Sequence, residues 1–191
     1  MRDIILTLAV FGSLPFILRN AWIGVLVWSW LSYMNPHRLT WGFAYSMPFA
    51  QAVAATLLLA LIVGKEKSKL PINKLTVVWL IYVLWMCVTT VNAIYPESAG
   101  ILLNKIIKIQ LIAFVTILLI NSRERIEALI WVIVLSIGFY SIKGGVFTLL
   151  TGGQYRVWGP ASTDITENNA LAVATLMIVP LFIYLYQVAS N

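Results

Sequence analysis

The chain has 191 residues, of which 61% are hydrophobic and 10% charged, and its mean hydropathy is +0.90. Soluble domains carry about 25% charged residues, so this composition excludes a water-soluble globular enzyme, a disordered tail and a nucleic-acid-binding domain. The excess of 13 Lys and Arg over 7 Asp and Glu is the usual bias of cytoplasmic loops in a membrane protein, where the place of each charge matters more than the sum.

A helix that crosses the hydrocarbon core needs about 20 mostly apolar residues. The first two apolar stretches, 4–18 and 21–33, are short and separated only by Arg19 and Asn20. They predict two thin or tilted spans, or a re-entrant hairpin buried against other helices. A cleavable signal peptide fits poorly with the opening Met1-Arg2-Asp3 and the lack of a small-residue cleavage site. Runs 47–63, 75–93, 101–120, 126–142 and 170–188 predict five further spans, the third carrying Asn104, Lys105, Lys108 and Gln110 in its first half. The expected fold is all-α: a polytopic transmembrane helix bundle of five spans plus two short N-terminal hydrophobic elements, forming one transmembrane domain over 1–191.

The densest basic cluster is Lys65, Lys67, Lys69 and Lys74, followed two elements later by Arg123 and Arg125. The positive-inside rule places both groups in the cytoplasm. Segments 94–100 and 143–169 then face outward, as does 34–46, and Met1 does so too if both short elements span. No internal repeat or pair of broken helices marks an inverted-repeat transporter. Nucleotide-binding, zinc-protease and serine-hydrolase motifs are missing from the sequence, and His37 alone cannot organise a metal site.

Three outward groups carry chemistry. Asn35-Pro36-His37-Arg38 is ringed by Trp28, Trp30, Tyr33, Trp41, Phe43 and Tyr45. The rings suit an interfacial aromatic belt, while Arg38, set against the topology bias, suits an anionic lipid headgroup. Asn104, Lys105 and Lys108 share one helix face about one turn inside the outer boundary; the two lysines either snorkel or line a cavity that would suit a phosphate or pyrophosphate. The segment 143–169 holds two Gly pairs taken as turns, the aromatic-flanked Arg156, the turn Gly159-Pro160, and Asp164 and Glu167 spaced as an N-cap and its partner. Arg156 offers a rigid fork of donors to phosphate oxygens and keeps its charge in a dry site. Asn168 and Asn169 suit either sugar hydroxyls or helix capping.

The run Gly152-Gly153-Gln154-Tyr155-Arg156-Val157-Trp158-Gly159-Pro160, followed by Asn168-Asn169-Ala170-Leu171-Ala172, resembles the O-antigen ligase family of bacterial membrane glycosyltransferases. The stretch Trp28-Ser29-Trp30-Leu31-Ser32-Tyr33-Met34-Asn35-Pro36-His37-Arg38, continuing into Trp41-Gly42-Phe43-Ala44-Tyr45, is similar to one branch, the O-glycosylation ligases associated with exosortase A systems. The resemblance implies a family-specific region over 1–45 and the start of a ligase-type membrane core over 46–191. It implies a metal- and cofactor-independent transferase of the inner membrane, moving a glycan from undecaprenyl pyrophosphate to lipid A core or a protein on the periplasmic face. Arg156 would then be the catalytic cation on the pyrophosphate, with Lys105, Lys108, Arg38, Asn168 and Asn169 binding substrate. Members of that family are roughly twofold longer, and their later periplasmic loop supplies a His; His37 lies in a different motif and is no substitute. The chain is therefore expected to be the N-terminal half of a longer protein. A polymerase of the same superfamily, a non-catalytic fragment and a transporter of lipid-linked sugars stand as alternatives.

Overall fold

The computed structural model describes residues 1–64 and 72–190. Lys65, Lys67 and Lys69 lie outside the described residues, and Lys74 opens a helix. The fold is all-α, with no strand among the described residues. Its helices are α1 (Arg2–Arg19), α2 (Ala21–Met34), α3 (Phe49–Val63), α4 (Lys74–Val91), α5 (Pro96–Leu119), α6 (Arg123–Thr151) and α7 (Asn168–Ala189), with two short 3-10 turns, Pro36–Leu39 and Phe43–Ser46, between α2 and α3. Four of them, α4 to α7, are long and apolar enough to cross a membrane, and α2 and α3 are shorter apolar helices. The protein is a membrane helix bundle.

Each helix boundary has a local cause. α1 ends where Asn20 turns extended. α2 stops at Met34 because Asn35 adopts left-handed backbone, φ 47° and ψ 52°, and because Pro36 disfavours helix in the residue before it. Asn73 caps α4 by accepting from the Thr76 amide at 2.9 Å. Pro96 sits in the first turn of α5, where its missing N–H is no loss. Ser122 caps α6, which ends at Gly152 in left-handed backbone. Gly144 and Gly145, expected as a turn, lie within α6. α7 opens at Asn168 with Glu167 at its N-cap, three residues later than the expected cap at Asp164.

The chain forms two compact units, Met1–Glu66 with Ser122–Asn191, and Lys67–Asn121. The smaller unit is the α4–α5 hairpin. Trp79 Nε1 donates to Gln110 Oε1 at 2.7 Å, and the Trp79 ring stacks on Phe114 at 6.0 Å between centroids. Most of the remaining surface of both helices is apolar and exposed, as lipid-facing helices require.

In the larger unit α1, α2 and α3 pack around Val10, Ile17, Val25, Phe49, Val53 and Leu57, all fully buried. α2 also packs on α6, and α6 on α7 through Val134, Ile137, Ala174, Ile178 and Leu185. Lipid tails are as apolar as these side chains, so helix association rests on close packing and on small residues at the contacts. Gly24 is such a contact. A Cβ there would lie 2.9 Å from Ile17 Cγ2 and 2.9 Å from Leu57 Cδ1.

Side-chain contacts fix the two ends of this unit. At one end the Arg125 guanidinium lies over the Trp22 ring, 5.4 Å from its centroid, and Tyr184 donates to Glu127 at 3.1 Å. The α1–α2 turn with Arg19, the start of α6 with Arg123 and Arg125, and the last turns of α7 therefore share that end. At the other end Asp3 Oδ1 accepts from the Gly42 and Ala44 amides at 3.2 Å each, and Asn35 Nδ2 donates to the Ala161 carbonyl at 2.6 Å. The start of α1, segment 35–48 and segment 152–167 are gathered there. Gly24→Ala should destabilise the unit by about 1–3 kcal/mol through overpacking. Thermal unfolding in detergent checks this, and a wild-type midpoint would show that α1 and α3 yield to the added methyl.

Candidate functional site

α2 has 14 residues and α6 has 29, which at 1.5 Å per residue gives about 21 Å against about 44 Å. Near the Arg125 end the two helices start level, and Tyr140, midway along α6, donates its hydroxyl to the carbonyl of Met34, the last residue of α2, at 3.0 Å. α6 then continues for three more turns with nothing from α2 beside it. Segment 152–167 folds back into that space.

The returning segment is held by its own polar groups. Gly152 and Gly153 reverse the chain with φ of 64° and 77°. Pro160 is buried, and its carbonyl accepts from the hydroxyls of Thr163 at 2.7 Å and Thr166 at 2.8 Å. The Gly159 amide donates to the Thr166 carbonyl at 2.8 Å, and the Ile165 carbonyl fills the place a Cβ of residue 159 would take. Val157 packs directly against Gly144, where a side chain on α6 would collide with it. The pair Gly144/Val157 thus presses the Tyr155–Trp158 stretch onto α6.

Between them lies a cleft of about 230 Å³ lined by Tyr140, Lys143, Gly144, Phe147, Arg156, Val157 and Trp158. Two cations face one opening, and neither Arg156 nor Lys143 has an ion-pair or hydrogen-bond partner among the described residues. Aromatic rings border them, with Phe147 and Tyr155 at 6.2 Å between centroids. Such a cleft suits a phosphorylated ligand with an apolar or ring-bearing portion: guanidinium and ammonium for the anion, ring faces for the rest.

The other residues singled out in the sequence lie elsewhere. Arg38 is in the 3-10 turn after α2, its guanidinium 4.5 Å from the Tyr45 ring centroid, and it does not line the cleft. Asn168 and Asn169 are the first two residues of α7 and do not line it either. Lys105 and Lys108 belong to the smaller unit and sit exposed on α5 with Asn104. α5 starts at Pro96, so they lie roughly 14 and 18 Å along its axis from that start. Lys143 is the cleft residue that sequence reasoning passed over. It was taken as the first residue of a loop, whereas the helical run through Thr151 sets it one turn before Phe147 on α6. Among the described residues, no three His, Cys, Asp or Glu side chains gather into a metal-ligating group.

Fold and cleft together define a polytopic membrane protein with a cationic, aromatic-walled cleft at one end of its larger unit. The chain belongs to the family described as "Family of unknown function (DUF5935)", whose model matches residues 1–190. No curated protein and no solved structure matches the chain.

Two outcomes test the framework of the site. Asn35→Ala leaves the Ala161 carbonyl without its donor and should cost about 1–3 kcal/mol locally; hydrogen exchange should rise across 157–166, and unchanged exchange would show that the bond holds nothing in place. His37, half-buried beside Arg38, is pushed below its ordinary value of 6.5, first by burial and then by the Arg38 charge. Its neutral form favours the folded state, so its contribution is complete above the ordinary value and is lost as pH falls through it. Thermal stability should fall between about pH 7 and about pH 5 more steeply in the wild type than in His37→Gln. Parallel profiles would contradict the assignment.

Proposed function

We propose that the protein is a membrane glycosyltransferase of the O-antigen ligase or O-glycosylation ligase type, using the Arg156–Lys143 cleft for the pyrophosphate of a polyprenyl-linked glycan. The carrying observation is that two cations without carboxylate partners share one aromatic-walled cleft at the level where α2 ends. A polyprenyl pyrophosphate presents an anion, a lipid tail and a sugar at one point, and the cleft offers a matching surface for each.

In the proposed reaction an acceptor hydroxyl oxygen, on lipid A core or a protein, bonds to the anomeric carbon. The bond from that carbon to the pyrophosphate oxygen breaks, and the pyrophosphate leaves with the electron pair. Negative charge grows on the leaving oxygens, beside the groups that Arg156 and Lys143 present. Cations placed where charge develops contribute to transition-state stabilisation. The acceptor's hydroxyl proton passes to water, so that alcohol and glycosyl polyprenyl pyrophosphate become glycoside, polyprenyl pyrophosphate and a proton.

Orientation supports this reading. The end of the larger unit that holds Arg19, Arg123 and Arg125 is opposite the one that holds the cleft. Counted with Lys65, Lys67 and Lys69, which follow α3 in the sequence, the positive-inside rule favours the former in the cytoplasm, which would set the cleft on the periplasmic face of the inner membrane, where mature lipid-linked glycan is found.

The test uses membranes carrying the full-length protein, supplied with undecaprenyl-pyrophosphate-linked glycan and candidate acceptors. Arg156→Ala should lower transfer by roughly 10²–10³-fold, and Arg156→Lys should recover little because an ammonium lacks the guanidinium fork. Lys143→Ala should lower transfer by about tenfold or more. Chain length against acceptor attachment in the product separates ligation from polymerisation. Normal transfer by Arg156→Ala would overturn the assignment of the cleft.

A further inference from the structure

A second cationic centre lies at the same end of the larger unit, outside the cleft. Arg38 is in the turn Pro36–Leu39, with its guanidinium carbon 4.5 Å from the centre of the Tyr45 ring. Its Nε is buried and has no hydrogen-bond partner, and no carboxylate among the described residues forms an ion pair with it. The carboxylate of Asp3 reaches the same segment but is engaged by the Gly42 and Ala44 amides. A buried N–H of a permanently charged group without an acceptor is costly, and arginine cannot escape that cost by losing its proton. An anion seated on the outer nitrogens of the guanidinium supplies the countercharge that its buried edge lacks.

The surroundings indicate which anion. Trp41 is 93% exposed, and Phe43 and Tyr45 are 56% and 44% exposed on the same segment. Aromatic side chains of this kind rest at the headgroup level of a bilayer. The bonds from Asp3 to Gly42 and Ala44 fix the first turn of α1 against this segment, and the turns that follow present Ile4, Ile5 and Leu8 to the outside, all more than half exposed. A cation at the headgroup level, framed by rings and adjoining an apolar helix flank, matches the two parts of a phospholipid. Free phosphate would use the guanidinium and leave the flank without a role.

We propose that Arg38, held over the Tyr45 ring, binds the phosphate of an anionic phospholipid headgroup whose acyl chains lie along the exposed flank of α1. The site is separate from the Arg156 cleft and does not depend on the chemistry proposed there.

The experiment uses the full chain in nanodiscs of phosphatidylcholine with increasing phosphatidylglycerol, and native mass spectrometry to count retained lipid. Arg38→Ala should weaken retention of phosphatidylglycerol about five- to tenfold, and Arg38→Lys should restore part of it. Arg2→Ala removes one charge from the same end without the aromatic seat and should have a smaller effect. Tyr45→Leu keeps the charge but removes the ring face, and should weaken retention in a protein whose fold does not depend on the Arg38 substitution. Equal losses in Arg2→Ala and Arg38→Ala would reduce the effect to net charge and overturn the site, as would wild-type retention in both Arg38→Ala and Tyr45→Leu. Inorganic phosphate should fail to displace the lipid; displacement by phosphate would overturn the lipid assignment in favour of a free anion.

Discussion

The carbonyl of Met34 and the side chain of Asn35 form the corner on which the rest of the larger unit depends. One accepts from Tyr140 on α6, and the other donates to Ala161 in the segment that carries Arg156. Helix termini leave backbone groups unsatisfied, and where they are buried in the protein they must find partners there. Asn35 meets that constraint twice. Its left-handed backbone ends α2, and its amide satisfies a carbonyl of the segment that fills the space α2 leaves. The short α2 and the cleft are therefore one feature: had α2 continued beside α6, segment 152–167 would have had no place against Lys143 and Gly144.

The same constraint explains why the cleft is built from a long helix and a tightly closed loop. α6 brings Tyr140, Lys143, Gly144 and Phe147 at one- and two-turn spacings along the flank that meets the loop. The loop needs no such regularity, because Pro160, Thr163 and Thr166 satisfy one another and Gly159 admits the Ile165 carbonyl. Where such an irregular backbone is buried, its polar groups have to be paired internally, as they are around Pro160.

Much of the fold was legible in the sequence because hydropathy and length dictate where helices cross a membrane. Every apolar run became a helix, and Asn20, Asn35 and Gly152 broke the chain as their types allow. The differences come from signals that local reading weighs badly. Gly144-Gly145 resembles a turn, but the apolar run continues through Val146, Phe147, Leu149 and Leu150 and α6 with it, and one of the pair is glycine because Val157 needs the room. Pro96 with Glu97 marks a helix start in advance of the apolar run, so α5 is longer than that run. The cap near α7 falls at Glu167 because the hydrogen bonds of 160–166 keep Asp164 in the loop. Of the candidate site, Arg156 and its aromatic neighbours stood out from residue type alone. Lys143 did not, since its place depends on how far α6 runs. The bond from Asn35 to Ala161 joins residues 126 apart, and no local pattern announces it.

The division of the chain bears on how the protein is made. The larger unit is interrupted in sequence: α1 to α3 come first, α4 and α5 are synthesised next, and only then do α6 and α7 arrive. Met34 and Tyr140 are 106 residues apart, a gap that a ribosome covers in roughly 5–20 s. Throughout that interval the face of α2 destined for α6 is without its partner. The close contact at Gly24 with Ile17 and Leu57 gives α1, α2 and α3 a packed core of their own, one that needs nothing from the helices made after it.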